Sequence, residues 1–463
     1  MKKYIYCTFV FLFVFILGSC NTYTGFNVSV FNGEKDIDAS YSVYSGERQW
    51  SILIYMASDN NLEASAIEDL NEMEFSNLDT DEVNILALVD RNNGYDSSNG
   101  NWSETRLYKI KTGKKSGTEI QSEEIEFSRL GLGPGKNVEL DLSDGLILQH
   151  TLDFMISKYP ANHYGLIIWG HGTGWRNDDV NENDFPSTYK GFAFDENSGT
   201  YMSLYQLNKA VENVFSEKAI DFIGFDTCFG GCLEVMYEFK DSALYAVGSE
   251  GLLLSSGWNY EIFFNRISLA SSKSAETLCK CAIEQFSQVY GSSARASICA
   301  VDLSKIENLV CSFDEFSKVL SEKITSAALK DKVLGFLYSD KDCHTEKYTY
   351  GKSGFDVYLD TVSIVNESNR NFNDSRIETA CKKFLETEQN CIFADWASDR
   401  DKGSLSVFFQ TLSTDGLLAA RHPDGYIYGN TINQLKFIKK CTGYVPGYSE
   451  AAGLLEKLFY YSF

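Results

Sequence analysis

Ile220-Asp221-Phe222-Ile223-Gly224-Phe225-Asp226-Thr227-Cys228-Phe229-Gly230-Gly231-Cys232-Leu233-Glu234 carries the plainest architectural signal in the chain. An apolar run of strand length ends in a polar turn that presents Cys228, then passes through two glycines into a helix-like segment at residues 232–240. A second run, Tyr164-Gly165-Leu166-Ile167-Ile168-Trp169-Gly170-His171-Gly172-Thr173-Gly174-Trp175, brings one histidine to its carboxyl end in the same manner. In an open parallel sheet the loops leaving the strand carboxyl ends share one edge, and chemistry collects there. A thiol is mostly protonated at neutral pH, and only the thiolate attacks. A neighbouring imidazole can take that proton and later hand it to a leaving amine. Cys228 and His171 are therefore paired as candidate nucleophile and base, far apart in sequence and adjacent in space.

These two motifs resemble the clostripain family of cysteine peptidases, relatives of the caspase, legumain and gingipain group. The family's strand-end His-Gly is matched by His171-Gly172, and its Asp-x-Cys nucleophile turn by Asp226-Thr227-Cys228. The likeness takes in residues 50–74 and, more weakly, later segments. It implies a caspase-like α/β/α sandwich with a mostly parallel central sheet, followed by a smaller, mainly helical C-terminal domain. It also implies that Asp226 lies at the base of the S1 pocket and pairs with a P1 Arg or Lys. A planar guanidinium fits a carboxylate through two parallel hydrogen bonds, so Arg is expected to be preferred. Members of the family are commonly made as zymogens that cut themselves between the two motifs. Lys190-Gly191 is the expected site here, with Arg176 next.

Composition sets the outer limits. The chain has 463 residues, 44% of them apolar, enough to bury a substantial core. A formal charge of -23 repels phosphate backbones, so nucleic acid is not an expected partner. Peptides and proteins carrying a basic P1 residue are. The plainer account of that charge is solubility alone.

Residues 1–20 read as a secretion signal: Lys2-Lys3, an apolar core, and Leu17-Gly18-Ser19-Cys20. The ending resembles a bacterial lipobox, which implies cleavage before Cys20 and acylation of its thiol. The expected location is the cell envelope, lipid-anchored on the periplasmic face or the cell surface, with no spanning helix. Residues 21–48 are polar and unpatterned, a tether. Residues 49–301 alternate strands with helices and form the expected peptidase domain, with helices at 143–158 and 274–290 and strands at 50–57, 83–89, 106–110, 244–249 and 296–302. Asp59-Asn60-Asn61 reads as the cap of a helix reaching Met73. Residues 302–463 are the expected C-terminal domain, helical at 306–330 and 376–388, with a strand at 405–409.

Each site residue has a plainer reading beside the chemical one. Cys228 is an inert core thiol, His171 a hydrogen-bonded structural imidazole, Asp226 the cap of the following helix, and Lys190 a solvated loop lysine. The glycines beside His171 favour chemistry, because they let a substrate backbone approach. The N–H groups of Gly172 and Cys228 are the candidate oxyanion hole, where one lost donor typically costs about 3 kcal/mol. Trp169 and Trp175 read as packing groups, and Cys232 as a core residue or the partner of a protective disulfide. No metal-ligand spacing is present: Cys279-Lys280-Cys281 is too tight and Cys343-His344 stands alone. No cofactor is required by this chemistry, and Ca2+ dependence leaves no trace in the residue pattern. The expected function is a cysteine endopeptidase cutting after Arg, less readily Lys, through a Cys-His dyad. The alternatives are a catalytically idle peptide-binding or adhesive lipoprotein, and a legumain-like transpeptidase.

Overall fold

The computed structural model describes residues 48–175, 191–290, 296–338, 345–350, 354–398, 405–409, 435–444 and 453–459. The expectations for the signal segment, Cys20, most of the tether, Arg176, Lys190 and Cys343-His344 lie outside the described residues.

The chain opens on β1 (Arg48–Ser58), whose residues from Trp50 onward are all buried. A strand covered on both faces needs no polar alternation, and RQWSILIYMAS has almost none. Helix α1 (Glu63–Phe75), β2 (Val83–Arg91), β3 (Thr105–Lys109), β4 (Glu123–Glu124), α2 (Gly145–Lys158) and β5 (Ala161–Gly170) follow. Next come β6 (Phe192–Asp195), β7 (Thr200–Met202), α3 (Leu204–Val214), β8 (Ile220–Asp226), α4 (Leu233–Glu238) and β9 (Ala243–Gly248). Helices α5 (Tyr260–Leu269) and α6 (Ala275–Tyr290) lead to β10 (Ser297–Asp302).

One nine-stranded sheet organises these elements. Its last strand is β13 (Ile392–Ala397), and its order is β13-β10-β9-β8-β5-β1-β2-β3-β4. The five central strands pair in parallel, and the outer pairings on both sides are antiparallel. Side chains leave a strand alternately to its two faces. Leu53, Tyr55, Leu166, Ile168, Ile223 and Phe225 accordingly enter one core, while Ile52, Ile54, Ile167, Trp169 and Phe222 enter the other. This is the expected caspase-like sandwich.

Beyond Asp302 the chain is mainly helical: α7 (Ile306–Lys323), α8 (Ala327–Leu337), α9 (Thr361–Asn371), α10 (Ser375–Cys391), α11 (Lys436–Lys440) and α12 (Leu454–Phe459). The helix expected over 306–330 is two helices, broken where Ser326 caps the second by accepting Leu329 N–H. A small sheet, β11 (Thr345–Tyr350), β12 (Gly354–Asp360) and β14 (Ser406–Phe409), accompanies them. The main sheet also draws on this region, since β13 pairs with β10.

The expected cap of α1 is corrected. Asn60 Oδ1 accepts Leu62 N–H at 3.0 Å, but the cap position is Leu62. Asp59 instead accepts Asn92 Nδ2 and Asn197 N–H. All nine cysteines among the described residues are free thiols. Cys232 is a fully buried core residue, with no bridge to Cys228. No described helix is long and apolar enough to cross a membrane.

Candidate active site

The last registered pair of β5 and β8 is Trp169 beside Asp226. His171 and Cys228 each stand two residues further along, on neighbouring strands about 4.8 Å apart. Gly172 closes this gap: a Cβ there would lie 2.5 Å from the Cys228 carbonyl oxygen and 2.8 Å from Thr227 Oγ1. Only glycine lets the two loops touch. The N–H groups assigned to the oxyanion hole thus belong to segments in direct contact.

Past Cys228 the backbone is strained. Phe229 has φ of 55°, a left-handed conformation costing a bulky residue about 1–2 kcal/mol. Two contacts hold it there: its N–H donates to Gly251 O at 2.9 Å, and its ring stacks on Tyr358 at 4.5 Å. Tyr358 also donates to Thr173 O at 2.8 Å, so β12 touches both the turn after Cys228 and the loop after His171. Gly230 and Gly231 are needed for packing, since a Cβ would meet Phe225 at 2.3 Å and Ser249 at 2.7 Å.

The Cys228 sulfur is half-buried. It accepts Leu253 N–H at 3.3 Å, and the Leu253 carbonyl lies 3.9 Å away. A donor aimed at sulfur favours the thiolate. On the other side, His171 Nε2 lies 2.8 Å from Asn61 Oδ1. An amide oxygen only accepts, so Nε2 carries the proton and Nδ1 is the basic nitrogen. Burial lowers the imidazole to about 4. Part of the ring still meets solvent, and at neutral pH this histidine is uncharged and able to accept a proton. Asn61 was read from sequence as a cap, and no local pattern marks it as the partner of a residue 110 positions away.

Asp226 does not cap α4, whose N-cap is Cys232 with no side-chain bond. Its carboxylate accepts Trp258 N–H and Tyr260 Oη–H, both at 3.0 Å. It is 4% exposed and lies under the turn at Gly257, where a Cβ would come within 2.7 Å of Oδ1. Burial raises it to about 7, against the two hydrogen bonds that favour the anion. Asp69, which accepts Trp169 Nε1 at 2.6 Å, is pushed up by burial and by Asp226. Glu72 is raised to about 7, chiefly by burial, and accepts Asn259 Nδ2 and Tyr260 N–H. These three carboxyls form an acidic floor, and among the described residues no ion pair includes any of them.

A stability prediction follows from the same groups. Asp226, Glu72 and Glu234, each raised to about 7 by burial, hold protons in the folded chain that the unfolded chain releases near its ordinary carboxylate range. Between those two pH values the folded state binds more protons, so stability falls as pH rises through the window. The thermal midpoint is expected to be higher at about pH 5.5 than at about pH 8. Scanning calorimetry across this range checks it, and the opposite order would place these carboxyls as anions in the folded state at acid pH.

Trp169 and Trp175 are packing groups, 3% and 2% exposed. One set of metal-ligand reach exists among the described residues, Asp59, Asp90 and Glu139. Its members are scattered along the chain, so spacing gave no signal.

The clostripain family model matches residues 54–415. The clostripain of Hathewaya histolytica is 25% identical over 401 residues, spanning 77% of this chain and 74% of that protein. The solved structure of an inactive zymogen C11 protease from Parabacteroides distasonis has a TM-score of 0.58 at 18% identity, covering 86% of this chain and 99% of that one. A secreted C11 cysteine protease from Bacteroides thetaiotaomicron, in complex with an irreversible peptide inhibitor, has a TM-score of 0.54 at 18% identity, covering 83% and 99%. At these identities the two structures attest the fold. With the family match running from β1 past β14, this chain belongs to the clostripain family of cysteine peptidases.

Proposed function

We propose that this peptidase is an endopeptidase that cuts after Arg, less readily after Lys, with Cys228 as nucleophile and His171 as its base. The close approach of Gly172 to the Cys228 backbone supports this reading most directly, because the residue after His171 packs against the residue that bears the thiol. His171 Nδ1 takes the thiol proton, and sulfur attacks the scissile carbonyl. The oxyanion meets the N–H groups of Gly172 and Cys228. The imidazolium then protonates the leaving amine, and water, deprotonated by the same nitrogen, releases the acyl group from sulfur.

Asp226 is the partner proposed for the P1 cation. The Trp258 N–H and Tyr260 hydroxyl occupy its oxygens, and a guanidinium reaches it by displacing the turn at Gly257. The neighbouring Asp69 and Glu72 deepen the negative potential. Reporter peptides ending in Arg, Lys, Asn and Ala test the assignment. Cleavage is expected in the order Arg, Lys, then the neutral residues at background level; Asn or Ala at the rate of Arg would transfer the chain to the neutral-P1 alternative.

Self-cleavage at Lys190-Gly191 belongs to the same proposal. Gly191 donates to Thr173 Oγ1 at 2.7 Å and accepts Thr173 N–H at 3.0 Å, so the residue after the cut is tied to the loop bearing His171. Purified active protein is expected to show two N-termini, one beginning at Gly191, where Cys228→Ala shows one. An active single chain would refute the processing step. Residues 1–20 and Cys20 are proposed as the secretion signal and lipid anchor, which palmitate labelling of the wild-type chain and Cys20→Ser tests. Equal labelling of both would remove the anchor.

A further inference from the structure

A cysteine, a histidine and their oxyanion donors use no residue beyond Asp302, yet the small sheet of β11, β12 and β14 reaches the loops that follow β5, β8 and β9. Tyr358 in β12 donates to Thr173 O, after β5, at 2.8 Å. Ser406 in β14 donates its N–H to Gly231 O, after β8, at 3.2 Å. The Ser406 hydroxyl donates to Glu250 O, after β9, at 2.7 Å. Three segments that meet at the strand ends are thus tied to one sheet contributed by the C-terminal region.

Tyr358 is the residue that touches both halves of the dyad's setting. It is buried, and its two ends meet different loops. The hydroxyl holds the carbonyl of Thr173, two residues after His171. The ring stacks on Phe229, next after Cys228, with centroids 4.5 Å apart and planes 26° from parallel. Gly174 makes room for the hydroxyl: its φ is 77°, and a Cβ there would lie 2.3 Å from Tyr358 Oη. A side chain that positions others must itself be fixed. Phe408, its partner in the β12-β14 register, packs edge-on against it at 5.6 Å and is anchored by donating its N–H to Glu234 Oε1 at 3.0 Å.

The consequence for catalysis follows from what the two loops carry. Gly172, which precedes Thr173, offers one N–H to the proposed oxyanion hole, and Cys228 offers the other. Donors from separate loops stabilise one oxyanion only if both are aimed at a single point. Phe229 keeps its left-handed φ of 55° only while its surroundings hold it there, and its relaxation would rotate the peptide that joins it to Cys228. A misplacement of about 1 Å in such an arrangement can cost about 10²-fold in rate.

We propose that Tyr358 is a positioning residue for peptide hydrolysis: holding Thr173 by its hydroxyl and Phe229 by its ring, it sets the loop of His171 against the turn of Cys228. The C-terminal sheet is then part of the active site and not only a neighbour of it. This inference rests on the assignment of Cys228 and His171 made above.

The test is steady-state hydrolysis of an Arg reporter peptide by the full chain and its Tyr358→Phe, Tyr358→Leu and Cys228→Ala variants, with competent sites counted by titration with an Arg acyloxymethyl ketone. Tyr358→Phe keeps the ring and its stacking, so it folds even if Tyr358→Leu does not. Its kcat per titrated site is expected to fall by about tenfold or more with KM within about twofold, and that of folded Tyr358→Leu by at least about 10²-fold. A merely structural tyrosine would lower the thermal midpoint or the number of competent sites and leave kcat per site as in the native chain, which would overturn the inference. A rise in KM at unchanged kcat would overturn it as well, by moving Tyr358 to substrate binding. Cys228→Ala hydrolysing as fast as the native chain would remove the dyad and the inference together. A native chain that depends on Cys228 but not on the Tyr358 hydroxyl would remove the inference alone.

Discussion

Replacing Cys228 with alanine is expected to lower kcat on an Arg reporter peptide by about 10⁴-fold or more, with KM nearly unchanged. The size follows from what the sulfur does. Alanine cannot form the acyl-enzyme, so only substrate positioning and the oxyanion donors remain to act on a water attack. The fold should tolerate the change, because the side chain is only half-buried. His171→Ala is expected to fall to a similar rate, and the double variant no further, since nucleophile and base act as one unit. Steady-state kinetics on the three variants settle the point. A residual rate within tenfold of wild type, or a double variant showing the product of two independent losses, would move the chemistry elsewhere.

Asp226→Asn is expected to cut kcat/KM for Arg substrates by about 10²–10³-fold while leaving a neutral-P1 substrate within a fewfold of wild type. The buried site explains the magnitude: a cation deprived of its carboxylate is left desolvated and unpaired. It also gives a pH signature. Burial raises Asp226 to about 7, so the carboxyl is neutral below that value and anionic above it. Arg hydrolysis should therefore be present above about pH 7 and lost as pH falls through it. His171, lowered to about 4, stays neutral across the window and supplies no competing limb there. In Asp226→Asn that limb should vanish from the profile of kcat/KM. An Arg-specific limb surviving the substitution would assign recognition to other groups, with Asp69 and Glu72 the first to examine.

The parts of this account that were legible in sequence share a physical cause. The runs at β1, β5 and β8 are nearly continuous apolar stretches because helices cover both faces of the sheet, and their polar ends mark the edge where His171 and Cys228 meet. Other elements escaped for reasons equally plain. Helix α3 had a usable signal that went unread: Ser203 and Gln206 form a capping box. Helix α5 begins at Tyr260, immediately after Asn259, whose side chain caps it by accepting Ile262 N–H. Nothing in the preceding loop marks that start apart from Asn259 itself. Strand β13 follows α10 with no Gly or Pro between them and is only partly buried, so neither a break nor an apolar run announces it. The Asp59, Asp90 and Glu139 group is a product of tertiary structure alone, assembled from positions with no common spacing. Asp226 was expected as the S1 residue, and its hydrogen bonds to Trp258 and Tyr260, which depend on how the turn after β9 folds back over β8, had no signal in the sequence.

The most direct measurement of the central claim is the site of covalent capture. A short peptide ending in an Arg acyloxymethyl ketone, incubated with the native chain and followed by tryptic mass spectrometry, should place a single adduct on Cys228. Capture should slow by at least about 10²-fold in His171→Ala, because the imidazole no longer removes the thiol proton. An adduct on any other described cysteine, or equal capture rates with and without the imidazole, would contradict a nucleophile at the end of β8 served by a base at the end of β5.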